Sequence, residues 1–260
     1  ASTLQRLGIG CALLDAADAR RAEPALGDHV IGGLLIEPHG FVNVPQVTGA
    51  LAAAAARFGA RFIDETAAHR ICRGTNGLTV QTQKGLLSAR TVVLAAGAWS
   101  AQLEIEDVLP PPPVTPVRGQ LLHLDWQGAP LVRNTWGPNC YLVPWDDGTL
   151  LVGATAEHVD FDERTTAAGV RRLLDAVCTL LPSAGHAGFR EARVGLRPGC
   201  ADDVPIVGWS TKLPGLMYAT GHYRNGIMLA PITADLVARA MIGGEQDPSM
   251  AATAPARFGV

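Results

Sequence analysis

The segment Thr91-Val92-Val93-Leu94-Ala95-Ala96 carries no polar side chain after its first residue. A run without alternation predicts a strand buried on both faces, the condition of a strand inside an α/β sheet. It ends at Gly97, where a residue without Cβ lets the backbone bend or approach a ligand closely. Helices are then required to cover the sheet. Val47–Phe58 is Ala-rich and stops at Gly59, and Ile227–Ile242 opens after Arg224-Asn225-Gly226 and closes at Gly243-Gly244; both carry the glycine stop of a helix.

Other blocks obey a different period. Asn76-Gly77 between two alternating runs is a hairpin signal. Gln120–Asp125, Cys140–Pro144 and Thr149–Thr155, grouped around the Asp146-Asp147-Gly148 turn, predict antiparallel strands. Thr165–Leu181 has helical spacing (Val170, Leu173, Leu174, Val177, Leu180, Leu181) and stops at Pro182. The stiff Pro110–Pro113 run predicts a crossing between domains. The fold class is therefore mixed α/β and α+β, in two discontinuous domains. One takes residues 1–45 and 114–194, the other 46–113 and 195–244, with 245–260 as a tail.

Composition narrows the partners. A net charge of −3 without a Lys or Arg run gives no reason to expect nucleic acid or an anionic membrane. No apolar stretch approaches the ~20 residues of a membrane span, and the first residues do not form a signal peptide. Five scattered cysteines (Cys11, Cys72, Cys140, Cys178, Cys200) without a CxxC pair argue against disulfides or zinc and for a reducing, cytoplasmic compartment.

Three segments carry chemistry. Thr91–Ser100 delivers a small-residue turn at Gly97-Ala98-Trp99, which suits either a flat ligand or a plain strand-to-helix turn. In Gly195-Leu196-Arg197-Pro198-Gly199 an arginine stands beside a Pro-Gly turn. Its planar fork can take a carboxylate through two hydrogen bonds, or form a surface ion pair. In Gly221-His222-Tyr223-Arg224-Asn225-Gly226-Ile227-Met228 a polar loop opens into an apolar helix. The free N–H groups and partial positive charge of that end favour an anion or a carbonyl edge. His222 alone reads as structural.

Taken in order, these segments, with Pro116-Val117-Arg118-Gly119-Gln120, Cys140-Tyr141-Leu142-Val143-Pro144 and Val152-Gly153-Ala154-Thr155, resemble the glycine oxidase and D-amino-acid oxidase family of flavoproteins. The resemblance implies an incomplete Rossmann-like FAD-binding domain interleaved with an antiparallel-sheet substrate domain. It implies FAD as cofactor, oxygen as second substrate and oxidative deamination of glycine or another small amino acid or amine. Glycine oxidase activity of this kind supplies dehydroglycine for the thiazole of thiamine. By the same resemblance Arg197 holds the substrate carboxylate, the Tyr141 hydroxyl assists it and the Arg224 carbonyl receives the amine. Asn225, Gly226, Ile227 and Met228 face the flavin's pyrimidine edge, while Ala68, Gly97, Ala98 and Trp99 lie along its nucleotide side. No general base is assigned, because a neutral amine needs none, and no metal ligand set is found.

The sequence departs from the family in two places. It contains no GxGxxG turn: Leu7-Gly8-Ile9-Gly10 has two of the glycines and reads as a local turn. The expectation is that a first βαβ unit is missing and that Thr91–Ala96 exposes apolar surface. A truncated non-catalytic fragment, a homo-oligomer, or a subunit that binds a small carboxylate and pairs with a separate flavin-binding chain are the alternatives. Trp145, at a position commonly basic, and Asn139 alter the pocket mouth. A tryptophan there narrows the pocket or packs against its rim.

Overall fold

The computed structural model describes residues 1–244 and 247–260. The chain divides into two compact units, the first of residues 1–43, 118–157 and 162–195, the second of 44–117, 158–161 and 196–260.

The first unit is organised by antiparallel pairing. Thr149–Gly153 pairs with Leu121–Asp125 of the strand Val114–Asp125 on one side and with Tyr141–Pro144 on the other, and Thr135–Trp136 completes that edge. The helix Ala167–Leu180 lies on this sheet because Leu173, Val177 and Leu180 recur at helical spacing. These residues pack with Leu122, Leu124, Leu142, Leu150 and Val152. Thr166 caps the helix by accepting the Gly169 N–H at 3.1 Å, which satisfies one orphan donor of the first turn. A short hairpin, Cys11–Asp15 against Gly32–Ile36, brackets the helix Ala16–Ala22.

A buried polar network pins the segment after Thr149–Gly153 to this sheet. The Arg118 guanidinium, 3% exposed, contacts Glu157 at 2.6 Å and Asp162 at 2.9 Å. Gln120 donates through its amide to Glu157 at 2.8 Å and Thr166 at 3.0 Å, and accepts the Thr166 N–H at 2.8 Å. Gly169 makes room for that amide, since a Cβ there would overlap it. The buried Arg118 charge is compensated by two carboxylates, the condition for burying it at all.

The second unit has two sheets. Gly85–Ala89, Gly77–Thr82, Ala68–Gly74 and Glu104–Ile105 form one, with the predicted hairpin turning at Thr75-Asn76. In the other, Leu216–Thr220 is central between antiparallel Ile206–Trp209 and parallel Val92–Leu94. Their shared core contains Ile71, Leu78, Leu94, Ile206, Leu216 and Tyr218.

The structure departs from the expectation that Thr91–Ala96 is buried on both faces, and the segment is partly exposed, as the second expectation had it. Only Val92–Leu94 is strand, and it lies at the edge of its sheet, paired on one side. Leu94 is buried, but Val92 and Val93 are half-buried and Ala95 is exposed. More apolar surface lies elsewhere: the helix Val44–Arg57 buries none of its residues and exposes Val44, Val47 and Leu51. Of the expected tail, Glu245 and Gln246 lie outside the described residues. Pro248–Thr253 and Pro255–Phe258 form 3-10 turns that bury Met250 and bring Val260 into the core, where its carbonyl accepts the Thr211 N–H at 3.2 Å. The strand Gly188–Cys200 was not expected, because Arg190, Glu191 and Arg193 interrupt any apolar pattern. Among the described residues no helix is long and apolar enough to cross a membrane, and all five cysteines are free.

Leu173→Ala, which empties a fully buried site, is expected to cost about 2–5 kcal/mol in denaturant unfolding. Burial alone would raise the Glu157 carboxyl, but hydrogen bonds from Thr155, Arg118 and Gln120 outweigh it and hold the group below its ordinary value. A depressed carboxylate contributes stability that is present above its unfolded value of about 4 and is lost as pH falls. Melting measured from pH 7 down to pH 3 is expected to show Glu157→Gln losing the steeper part of the wild-type decline.

Candidate functional site

The parallel pair Val92–Leu94 and Leu216–Thr220 decides where the second unit can bind a ligand. Parallel strands end on the same side, so the turn at Gly97 and the loop from Gly221 leave the sheet together. Two buried hydroxyls lock them: Ser100 and Thr220 lie 2.7 Å apart and 2.8 and 3.2 Å from the Gly97 carbonyl, so one hydroxyl donates to the other, which in turn donates to that carbonyl. Gly97 adopts φ +55, and nothing lies within 4 Å of where its Cβ would be. The C-terminal edge of parallel strands is where α/β sheets take their ligands.

The loop from Gly221 is tied to the arginine turn as well. The Tyr223 N–H donates to the Pro198 carbonyl at 2.9 Å, which places residue 198, next to half-buried Arg197, against the Gly221–Asn225 loop. Gly221 (φ +75) packs against Cys200 and Ile206. His222 turns inward, with Nε2 3.0 Å from Thr233 Oγ1, and burial pushes its pKa down, so it is held neutral at pH 7. The His222–Thr233 contact ties the loop to the helix that follows it.

The helix Gly226–Ile242 starts from this loop. Asn225 stands at its N-cap and makes no side-chain cap bond, so the N–H groups of Gly226, Ile227 and Met228 open the helix without that partner. Ile227 and Met228 are 50% and 73% exposed, and Arg224 and Asn225 are exposed too. Uncapped N–H donors with a helix dipole behind them suit an electron-rich carbonyl edge or an anion, and the open space above Gly97 suits a flat group. These features fit a flavin.

The remaining predicted residues are distributed as follows. Trp99 is 43% exposed, with its ring 6.0 Å from that of Phe161. Ala98 is in the core at 1% exposure, so it can offer a ligand only its backbone. Ala68 opens a strand of the other sheet of this unit. Tyr141 belongs to the first unit, where it opens the strand Tyr141–Pro144 and stacks on Trp136 at 5.0 Å. Trp145 packs edge-on against Phe41 at 5.2 Å. Ser100 and Thr220 were missed, because nothing local signals a hydroxyl pair 120 residues apart. Among the described residues no cluster of three metal-ligating side chains occurs.

Thr220→Val leaves the buried Ser100 hydroxyl without one partner and is expected to cost about 1–3 kcal/mol in chemical denaturation. By loosening the Gly97 turn it is also expected to weaken FAD binding in a fluorescence titration.

The chain is 37% identical to the bifunctional protein ThiO/ThiG of Synechocystis over 253 residues, 95% of the chain but 38% of that protein. It is 37% identical to the glycine oxidase of Geobacillus kaustophilus over 224 residues, 85% of the chain and 59% of that protein. The crystal structure of the Geobacillus kaustophilus glycine oxidase matches with a TM-score of 0.92 at 33% identity, covering 97% of this chain and 68% of that one. The chain therefore spans less than two thirds of the length of these sequence relatives. Residues 1–240 match the family described as FAD dependent oxidoreductase, and on that match the chain belongs to this family.

Proposed function

We propose that this chain is the substrate-binding and flavin-facing part of an oxidase that deaminates glycine or another small amino acid or amine, with a place in thiamine biosynthesis. FAD is the cofactor of the family to which the chain belongs. The observation that carries the reading is the hydrogen bond from Tyr223 N–H to Pro198 O. It joins the arginine turn to the loop that opens the uncapped helix, so a carboxylate-binding fork and a carbonyl-edge cradle belong to one unit.

The division of labour follows from the residues. Arg197 anchors the substrate carboxylate through its guanidinium, and the Tyr141 hydroxyl donates to it. The Arg224 carbonyl accepts from the amine, and the Asn225–Met228 backbone together with Gly97–Trp99 and Ala68 holds the cofactor. Held by these residues, FAD would supply the two-electron oxidation of the substrate's C–N bond, with oxygen as the final acceptor. The chain's own contribution is orientation and electrostatics. A neutral amine needs no base, and none is assigned to His222, which is half-buried and within hydrogen-bond distance of Thr233. The odd number and scattered spacing of the five cysteines, without a CxxC pair, support a reducing, cytoplasmic setting. The names of two relatives, glycine oxidase and ThiO/ThiG, support glycine as the first substrate to try.

Visible spectra of the FAD-loaded protein under anaerobic glycine test the reading: flavin bands that bleach support it, and bands that persist with every small amino acid and amine remove it. Arg197→Leu is expected to raise KM for glycine about 100-fold, since hydrogen bonds to a charged group are lost, and an unchanged KM would remove the anchor.

A further inference from the structure

Tyr141 stands in the middle of a cross-strand row. Its direct partner on one side is Gly153 and on the other Trp136. Directly paired residues in antiparallel strands project from the same face, so the three positions form one row on the sheet. The Tyr141 ring leans over Gly153. A Cβ built at Gly153 would overlap Tyr141 Cζ and Oη and lie 2.7 Å from Cε1. The phenol therefore occupies the space that any other residue at 153 would fill. On the opposite side the Trp136 ring stacks on Tyr141 with centroids 5.0 Å apart and planes at 34°. His39 lies beyond Trp136, at 6.1 Å.

We propose that Gly153 and Trp136 are positioning residues that set the place of the Tyr141 hydroxyl. This rests on the reading above that the hydroxyl donates to the substrate carboxylate. Gly153 acts by lacking a side chain and Trp136 by backing the ring. A phenol has only χ1 and χ2 with which to place its oxygen, so a wall on each side leaves the ring one seat. Gly153 does not have a positive φ, so a left-handed backbone is not what calls for a glycine there. Space is what Gly153→Ala removes.

The experiment measures acetate binding to the FAD-loaded protein by calorimetry, beside KM and kcat for glycine. Tyr141→Phe is expected to weaken acetate binding and raise KM about tenfold with kcat nearly unchanged, as the loss of one charge-assisted hydrogen bond requires. Gly153→Ala should do the same, and Trp136→Ala should do so about threefold, with Trp136→Phe restoring wild-type behaviour. In the Tyr141→Phe background neither further change should add to the loss, since effects that pass through one group are not additive. If Tyr141→Phe weakens acetate but Gly153→Ala and Trp136→Ala do not, or if their effects persist in the Tyr141→Phe background, the positioning role is overturned. If Tyr141→Phe itself leaves acetate binding unchanged, the carboxylate role of the hydroxyl fails first and the positioning role falls with it. Should Gly153→Ala fail to fold, Trp136→Ala, at a residue 60% exposed on the edge strand, decides the matter alone.

Discussion

Everything offered to a ligand by the second unit depends on the parallel pairing of Val92–Leu94 with Leu216–Tyr218. An antiparallel pairing would send the Gly97 turn and the Gly221 loop to opposite edges. Parallel pairing sends them to one edge, where Thr220, Ser100 and the Gly97 carbonyl form one hydrogen-bonded cluster. The pair of hydroxyls is costly to bury unless bonded, so the tie holds both turns in register. From there the Tyr223–Pro198 bond extends the same rigid frame to the arginine turn. A loop held at three points can present uncapped N–H groups without collapsing onto them.

The first unit uses a different device. Its apolar core is an ordinary sheet-and-helix contact, but the segment from Thr155 to Thr166 is fastened by charge. The buried Arg118 pairs with the partly exposed Glu157 and Asp162, and Gln120 donates to Glu157. Replacing such a network by apolar side chains is not inherently destabilising, whereas removing one partner is. The same unit presents Tyr141 on a three-strand row, so the rigidity of the sheet passes directly to a phenol oxygen. Both units thus place side chains with a potential ligand role on strands or at strand ends, where position is held more tightly than on free loops.

Much of this was legible beforehand. The helices Ala167–Leu180 and Gly226–Ile242, the Asn76-Gly77 hairpin and the antiparallel strands around Asp146–Gly148 follow from period and turn residues, which are local properties. Arg197 and the Gly221–Met228 loop stood out because Gly and Pro flank polar residues there. Gly188–Cys200 did not, because ladder hydrogen bonds with its neighbour hold a strand whose side chains favour none. The interior strand expected at Thr91–Ala96 became an edge strand, since apolarity reports burial and cannot report which neighbours supply it.

Local sequence thus determined the elements, the glycine turns and the types of residue available to bind a carboxylate and a flat cofactor. Tertiary structure alone decided three things: that Ser100 meets Thr220, that the Pro198 carbonyl meets the Tyr223 N–H, and that the Tyr141 ring fills the missing side chain of Gly153. Each joins residues 12 to 120 positions apart through one hydrogen bond or one packed ring. Such contacts depend on strand order and register, and neither is encoded in the residues that make the contact.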